Sequence, residues 1–211
     1  MKPFWIVAAT AQELPPLPES SDFESRILGI GMVNTASKLT RWLEQEKPKG
    51  MIMTGICGSY LSDLPLGSLV EVRKEIYAEA GANTPEGFLD MQSLNLPLGL
   101  MGEEQIYNIW ENPFPVITEL PQVTGATIFR ISGEMNAISE MKKIWNPDIE
   151  SMEGAAFFQI ATEYNVPFAQ IRSVSNWVEP RDRSRWNIPL ALSTLHQFWM
   201  ENHRDLVAQW K

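Results

Sequence analysis

The feature of this 211-residue chain that most constrains its fold is the alternation of short apolar runs with amphipathic helical patterns. Apolar runs of strand length occupy residues 4–9, 25–31, 49–59, 67–79, 125–134 and 168–175. Apolar residues at helical spacing predict helices over residues 34–46, 135–146 and 153–164, and from about Leu190 to Gln209. Strands that alternate with helices indicate an α/β fold, in which helices flank a mixed, largely parallel central sheet.

The chain shows no linker, repeat or low-complexity tract, so we expect one domain over residues 1–211. Residues 80–121 are rich in Gly, Pro and Asn, which predicts short elements and a mobile loop. The first apolar run, "FWIVAA", resembles the core of a signal peptide, but it has the length of a strand and the sheet needs it. We therefore predict a buried strand there and a cytoplasmic protein.

The net charge and the few cysteine and histidine residues argue against several classes of partner. The net charge of -9 argues against a nucleic-acid partner, which would require a basic surface. Cys57 is the only cysteine, so the chain has no intrachain disulfide and no cysteine-based zinc site. His196 and His203 are interpreted as polar positions on one helix rather than metal ligands. No apolar run reaches the ~18 residues of a membrane helix, so we expect no membrane partner. We also expect no metal and no cofactor.

In parallel α/β sheets, ligands collect beyond the carboxyl ends of the strands. The segments at those ends are residues 12–13, 29–33, 55–59, 132–134, 152–153 and 175–176. They include two acids and an amide, namely Glu13, Glu153 and Asn176. Each has an ordinary alternative: Glu13 as an exposed loop acid, Glu153 as a helix cap, and Asn176 as a turn residue. Their occurrence at three ends of one sheet favours a shared site.

The motifs at these ends resemble those of the purine nucleoside phosphorylase and nucleosidase superfamily over essentially the full chain. The shared stretches are "AQE", "GIGMVNTA", "TGICGS", "SGE", "SMEGAA" and "VPFAQIRSVSN". Two more, "YAEAGANTPEGFLD" (77–90) and "SNWVEPRDRSRWNIPLAL" (175–192), are similar to its futalosine hydrolase branch. The resemblance implies a three-layer, nucleoside phosphorylase-like fold and hydrolysis of futalosine to hypoxanthine and dehypoxanthine futalosine in menaquinone biosynthesis.

The resemblance also implies roles for individual residues. It places Glu153 on the ribose hydroxyls, Met152 against the sugar and Glu13 at the attacking water. Breaking an N-glycosidic bond builds positive charge on the ribose and negative charge on the base. A set of groups of this kind can stabilise both charges in the transition state. Further expected substrate-binding positions are Gly31, Ile56, Gly58 and Arg181.

Asn176 bears on the leaving base. Nucleosidases that release adenine carry an aspartic acid at the matching position. An amide presents both a donor and an acceptor, so its NH₂ can bond O6 of a 6-oxopurine while its oxygen accepts from N7–H. This predicts hypoxanthine as the leaving group and disfavours adenine.

The nucleophile is expected to be water rather than phosphate. Bacterial phosphorylases hold phosphate with an arginine and a serine. Met53 and Ile56 occupy the matching positions here, and an apolar pair would penalise a buried dianion. Ile56 also departs from the nucleosidases, which carry serine at that point.

Two interpretations of the segment containing Arg181, Asp182, Arg183 and Arg185 stay open. It is a solvated loop with local ion pairs, or a lid whose arginines meet the benzoate carboxylate of futalosine. Phe88, Trp177 and Trp186 form an aromatic wall or pack in the core. Arg172 is expected to pair with an acid, and Cys57 to pack rather than act as a nucleophile.

Alternative functions are another purine nucleosidase, of the methylthioadenosine/S-adenosylhomocysteine or inosine type, and a non-catalytic nucleoside-binding protein. In every case the expected partner is a small-molecule nucleoside. The resemblance further implies a homo-oligomer, either a dimer or a tetramer.

Overall fold

The computed structural model describes residues 3–19, 22–115 and 118–208. The strands are β1 Phe4–Ala8, β2 Phe23–Ile27, β3 Met51–Ser59, β4 Leu69–Tyr77, β5 Gly81–Thr84, β6 Gly87–Asp90, β7 Gly99–Met101, β8 Glu104–Ile106, β9 Ile109–Glu111, β10 Gln122–Thr127, β11 Ile149–Ser151 and β12 Phe168–Trp177. The α-helices are α1 Met32–Gln45, α2 Met135–Ile144, α3 Gly154–Glu163 and α4 Ile188–Ala208. Two 3₁₀ turns cover Ala11–Glu13 and Arg183–Arg185.

An eight-stranded mixed sheet forms the centre, in the order β11-β10-β4-β12-β3-β1-β2, with β9 paired to β4. The pairs β1–β2, β1–β3, β3–β12, β4–β10 and β10–β11 are parallel. The pairs β4–β12, β3–β11 and β4–β9 are antiparallel. Strand β11 therefore bonds to β10 on one side and β3 on the other, which closes the sheet on itself. The mixed, largely parallel sheet predicted from the sequence is confirmed.

Alternation along β1 divides the core into two layers, because successive side chains of a strand point to opposite faces. Trp5 and Val7 belong to the cluster that includes Leu39 of α1 and Phe157 of α3. Phe4 and Ile6 belong to the cluster formed with α4, which includes Leu195 and Trp199. The predicted three-layer arrangement is confirmed, with α1 and α3 on one face of the sheet and α4 on the other.

Several element boundaries differ from the sequence prediction. The strand predicted at 25–31 is observed at Phe23–Ile27, and it is followed by Gly29 and Gly31, whose φ values of 92° and 88° lie outside the β region. Strand β12 extends through Trp177, so Asn176 lies within the strand rather than after it. The short strand β11 was not predicted. Gln209, the predicted end of the last helix, lies outside the described residues.

The Gly- and Pro-rich region forms short elements, as predicted. Strands β5 and β6 make one hairpin, β7 and β8 make a second, and β9 joins the main sheet beside β4. Within the described part of the chain, no helix is both long and apolar enough to cross a membrane.

Candidate active site

A cavity of about 270 Å³ lies at the carboxyl ends of β1, β3, β11 and β12. It brings together Glu13, Glu153 and Asn176, whose side chains come from three segments that are distant in the sequence. The cavity wall also includes Gln12, Ile30, Ile56, Cys57, Gly58, Glu150, Met152, Ser175, Trp186, Ile188 and Leu192. The two acids and the amide from the strand ends therefore line one cavity.

Glu13 is held by three donors at the end of the first 3₁₀ turn. Its Oε2 accepts from the Thr10 amide at 3.0 Å and from the Thr10 hydroxyl at 2.8 Å. Its Oε1 accepts from the Ile56 amide at 3.1 Å, which ties the turn to β3. Glu13 is 7% exposed, which excludes the alternative reading of an exposed loop acid. Each carboxylate oxygen has about two acceptor directions, so Oε1 keeps one free.

Glu153 precedes α3, but its side chain makes no capping hydrogen bond to that helix. Instead, Oε1 accepts from the Gly31 amide at 2.9 Å, and Oε2 lies 3.6 Å from Nη2 of Arg172. Glu153 thus links the loop before α1 to the buried centre of β12. The expectation that Arg172 pairs with an acid is met by this contact.

Arg172 occupies the space left by a residue without a side chain. A Cβ added at Gly55 would overlap Nη1 of Arg172 and would lie 2.7 Å from Oε1 of Glu13. Only glycine therefore lets Arg172 and Glu13 approach each other across β3. Nη1 of Arg172 also donates to the Ile56 carbonyl at 3.4 Å, and Nη2 contacts Met53 Sδ at 3.3 Å.

Asn176 is placed by an irregularity of β12. Val174 pairs with Cys57 and Asn176 with Gly58, so Ser175 is an extra residue on β12, as in a β-bulge. The amide nitrogen of Asn176 donates to the Trp177 carbonyl at 3.1 Å, and its oxygen accepts from the Ser175 hydroxyl at 2.9 Å. One N–H and one oxygen lone pair of the amide remain for a ligand.

The other predicted binding residues fall in three groups. Met152, Ile56 and Gly58 line the cavity. Gly31 is not part of its lining, but its amide holds Glu153. Met53 is fully buried behind the cavity, in contact with Arg172.

Arg181 does not line this cavity. It lines a neighbouring cavity of about 750 Å³, which shares Ile128 and Ile131 with the first. Its guanidinium carbon lies 5.5 Å from the ring centre of Trp186, which belongs to the first cavity. Of the expected aromatic residues, Phe88 lines the larger cavity and Trp186 the first, whereas Trp177 lines neither and donates from Nε1 to the Leu64 carbonyl at 3.2 Å.

The segment after Asn176 contains a local ion pair and short-range hydrogen bonds, which agrees with the first of the two interpretations. Arg185 pairs with Glu179 at 2.7 Å. Asp182 accepts from the amide of Ser184 at 2.9 Å and from its hydroxyl at 2.7 Å. Hydrogen bonds from Ser184 hold the pKa of Asp182 below its usual value.

Burial governs the titration of two other groups in the cavity wall. It raises the pKa of the Cys57 thiol to about 12, so this thiol is neutral near pH 7 and is not a nucleophile. It also raises the pKa of Glu150, whose carboxylate accepts from the Tyr60 hydroxyl at 2.7 Å and the Ser132 amide at 3.2 Å. Sequence reasoning assigned no role to Glu150, although it lies three residues before Glu153.

Among the described residues, no group of three or more His, Cys, Asp or Glu side chains is arranged to hold a metal ion. The polar side chains that line the cavity are three carboxylates, two amides and three hydroxyls, from Glu13, Glu150, Glu153, Gln12, Asn176, Thr10, Ser151 and Ser175.

The profile of the phosphorylase superfamily matches residues 27–202, which is most of the chain. The chain belongs to the phosphorylase superfamily. The match includes Glu153, Arg172 and Asn176, whereas Glu13 lies before its start.

Curated relatives of this superfamily member include two kinds of enzyme. It is 28% identical to the futalosine hydrolase of Thermus thermophilus over 79% of this chain and 75% of the relative. It is 30% identical to the futalosine hydrolase of Streptomyces coelicolor, over 69% of this chain and 61% of the relative. It is also 30% identical to a 5'-methylthioadenosine/S-adenosylhomocysteine nucleosidase of Geobacillus, over 70% of this chain and 65% of the relative.

Solved structures show the same fold. A futalosine hydrolase mutant of Helicobacter pylori superposes with a TM-score of 0.74 at 16% identity, covering 99% of this chain and 100% of that chain. A Neisseria meningitidis 5'-methylthioadenosine/S-adenosylhomocysteine nucleosidase superposes with a TM-score of 0.74 at 15% identity, covering 99% of both chains. The nucleoside phosphorylase-like fold expected from the motifs is confirmed.

Proposed function

We propose that this chain hydrolyses the N-glycosidic bond of futalosine and releases hypoxanthine and dehypoxanthine futalosine, a step of menaquinone biosynthesis. The observation that carries the proposal is the convergence of Glu13, Glu153 and Asn176 on one cavity. The names of the Thermus and Streptomyces relatives support the choice of substrate.

Glu153 binds the ribose in this proposal. The Gly31 amide and Arg172 fix its carboxylate, and its remaining lone pairs accept from the sugar hydroxyls. As the bond to the base breaks, positive charge develops on the ribose, and a fixed carboxylate at that point stabilises the transition state more than the ground state. Met152 packs against the sugar from the same segment.

Glu13 orients the nucleophilic water. Three donors prevent its carboxylate from turning, and the free acceptor direction of Oε1 receives a proton of the water. A water fixed in this way reaches the ribose with its own lone pair directed at the anomeric carbon, which lowers the entropic cost of the attack.

Asn176 recognises the leaving base. Its free N–H bonds O6 of a 6-oxopurine, and its free lone pair accepts from the N7–H of the departing base. The bonds to Ser175 and Trp177 fix which end of the amide carries the donor. A 6-aminopurine presents a donor where O6 would be, so it meets the amide N–H donor to donor.

Water is the proposed nucleophile rather than phosphate. Ile56 presents an apolar side chain to the cavity, and Met53 lies buried behind it. The cation nearest to these carboxylates, Arg172, is engaged by Glu153. A phosphate dianion would therefore enter a site of negative charge without a free partner.

The larger cavity accommodates the arm of the substrate that carries the benzoate. Arg130 and Arg181 line it, and a carboxylate is a good partner for a guanidinium. In this proposal Arg181 binds the substrate from the larger cavity, whereas Asn176 does so from the smaller one.

Incubation of the purified chain with futalosine tests the proposal, with chromatographic detection of the released base. We expect hypoxanthine at the same rate with and without inorganic phosphate. A phosphorylated sugar product that appears only with phosphate would show phosphorolysis instead. Release of no base, combined with measurable binding of futalosine, would show a non-catalytic nucleoside-binding protein.

A second candidate is another purine nucleosidase, of the methylthioadenosine/S-adenosylhomocysteine or inosine type. The name of the Geobacillus relative favours the first of these types. The amide at Asn176 disfavours adenine as the base. A panel of futalosine, inosine and methylthioadenosine, scored by released base, separates the candidates.

We further propose a single-domain, cytoplasmic homo-oligomer, a dimer or tetramer. Ile30, which lines the catalytic cavity, is 57% exposed, and the nearby Val33 and Phe129 are 70% and 59% exposed. Val33 and Phe129 border an apolar groove of about 270 Å³, which a second copy of the chain would cover. Light scattering after size-exclusion chromatography measures the oligomeric state.

A further inference from the structure

Glu75, on β4, is a fully buried acid that does not line the catalytic cavity. Its Oε2 accepts from the Thr127 hydroxyl at 2.8 Å, and its Oε1 accepts from the Gln170 amide nitrogen at 2.5 Å. A Cβ added at Gly154 would overlap this carboxylate, so the glycine that begins α3 provides the space for the acid. The fold thus accommodates a buried charge directly beneath the segment that carries Glu153.

Two side chains connect Glu75 with Glu153. The oxygen of Gln170 accepts from Nη2 of Arg172 at 3.3 Å, and the same Nη2 lies 3.6 Å from Glu153 Oε2. Gln170 and Arg172 are two residues apart on β12, so their side chains leave the same face of the strand. The order of contact is Glu75, Gln170, Arg172, Glu153.

Which group donates and which accepts in each hydrogen bond of this series follows from the groups that can only donate. Thr127 Oγ1 accepts from the Ala155 amide at 2.7 Å, so its own hydrogen points to Glu75. The nitrogen of Gln170 must face Glu75, because its oxygen is needed by Arg172, which can only donate. Both oxygens of Glu75 therefore act as acceptors, which is the arrangement of an ionised carboxylate.

We propose that ionised Glu75 is a positioning residue for the reaction: it orients the Gln170 amide, whose oxygen holds Arg172 beside Glu153. This inference rests on the proposed function, since it assigns Glu75 an effect on catalysis through Arg172 and Glu153. Glu75 itself touches neither substrate nor water in this scheme.

Protonation of Glu75 breaks the series. A proton on Oε1 needs an acceptor, so Gln170 must turn its oxygen toward Glu75 and its NH₂ toward Arg172, where two donors then meet. Arg172 loses a partner and is less firmly held beside Glu153. Burial raises the pKa of Glu75 to about 7, so this change falls near neutral pH.

Charged and titratable groups reach Glu75 from several elements. Arg172 on β12 lowers the pKa of Glu75, whereas Glu153 before α3 raises it. Cys57 on β3 and Tyr77 on β4 also interact with Glu75, but burial keeps both neutral near pH 7. The neighbouring strands β10 and β9 place uncharged residues opposite it in register, Gly125 and Trp110.

The test compares Glu75→Gln with Glu71→Gln. Glu71 is a matched control, because it is also fully buried on β4 but bonds to Arg73 and Thr118 rather than to Gln170. In the unmodified chain and in Glu71→Gln, we expect kcat/KM to rise about tenfold between about pH 6 and about pH 8. In Glu75→Gln, whose NH₂ mimics the protonated acid, the rise should be absent. A variant profile that keeps the rise, or a control that loses it, overturns the proposal.

A second variant covers the case in which Glu75→Gln does not fold. The Thr127 hydroxyl lowers the pKa of Glu75, so Thr127→Val should move the midpoint of the rise to higher pH, by at least about half a unit. An unshifted midpoint overturns the proposal.

A third measurement needs no substrate and so separates this proposal from the proposed function. If the unmodified chain cleaves no purine nucleoside, the proposed function fails. The side-chain amide NMR signals of Gln170 still report the orientation of that group across the same pH range. We expect them to titrate near neutrality in the unmodified chain and to stay constant in Glu75→Gln. Signals that do not titrate in the unmodified chain overturn the positioning role.

Discussion

Nη2 of Arg172 lies 3.6 Å from Oε2 of Glu153, and both side chains are almost completely buried. Burying two charges costs desolvation free energy, which their attraction offsets only when further hydrogen bonds satisfy them. Here the Gly31 amide bonds to Glu153, and Gln170 bonds to Arg172. The cavity thus has a rigid carboxylate at the position where the proposed reaction develops positive charge.

Glu153→Gln should lower kcat/KM for the nucleoside substrate by about 10²–10³-fold, because the amide no longer offsets the charge on the ribose. Steady-state kinetics measure the effect, and circular dichroism shows whether the fold is kept. Glu163→Gln, an exposed position at the other end of α3, is the control and should retain full activity. Equal activity of the two variants would remove Glu153 from the mechanism.

Asn176→Asp should weaken cleavage of 6-oxopurine nucleosides, because a carboxylate in place of the amide loses the donor to O6. By analogy with bidentate contacts to base edges, we expect a change of about 1–3 kcal/mol in the discrimination between 6-oxopurine and 6-aminopurine substrates. The ratio of kcat/KM for inosine and methylthioadenosine measures it. The exposed Asn165 provides a control, Asn165→Asp, which should leave the ratio unchanged. An unaltered kcat/KM for the inosine-type substrate would falsify the base-recognition role.

Glu75 should make the unfolding free energy depend on pH. Burial raises its pKa from 4.5 to about 7 in the folded state. The folded state therefore binds the proton more tightly, and the associated stability is present below about pH 4.5 and lost as the pH rises through 7. Relative to Glu75→Gln, the unmodified chain should lose up to about 3 kcal/mol across that range.

Urea denaturation of both proteins from about pH 5 to about pH 8 measures this difference. Glu71→Gln serves again as the control for a buried acid on the same strand. A difference between the unmodified chain and Glu75→Gln that does not change with pH would mean that the carboxyl titrates outside this window.

Arg181→Ala should raise KM for futalosine by about fivefold or more and leave KM for inosine unchanged, because only futalosine carries a carboxylate for the guanidinium. Initial rates with both substrates measure this. Arg185→Ala is the control, since Arg185 is 56% exposed and pairs with Glu179. If KM for futalosine stays the same in Arg181→Ala, the larger cavity does not bind the acidic arm.

The sequence was sufficient to predict the architecture, because the core residues follow the periodic spacing of apolar side chains along the helices and strands. Leu39 and Leu43 lie on one side of α1 and are buried, as their spacing predicts. The same holds for β1, whose run of apolar residues is buried on both faces. The sequence also indicated that Glu13, Glu153 and Asn176 would lie close together, since each is at or near the carboxyl end of a strand.

The remaining features depend on contacts between distant segments. Strand β11 has only three residues, and bonds to β10 and β3 rather than local propensity keep it extended. The extra residue at Ser175 appears only once β12 is paired with β3. The contact of Glu75 with Gln170 joins positions 95 residues apart, and a buried acid has no periodic pattern that reveals it. The place of Arg181 in the larger cavity likewise depends on how its loop packs.

Strand β11 has a consequence for the dynamics of this protein. It leads directly into Met152 and Glu153, and neighbours hydrogen-bond to it along both edges. A segment held in this way opens to solvent only when the sheet itself comes apart, so its amide hydrogens should exchange as slowly as those of the core. Fraying at the helix ends or in the hairpins would then leave the Glu153 carboxylate in place, and the geometry of the proposed site would survive until global unfolding.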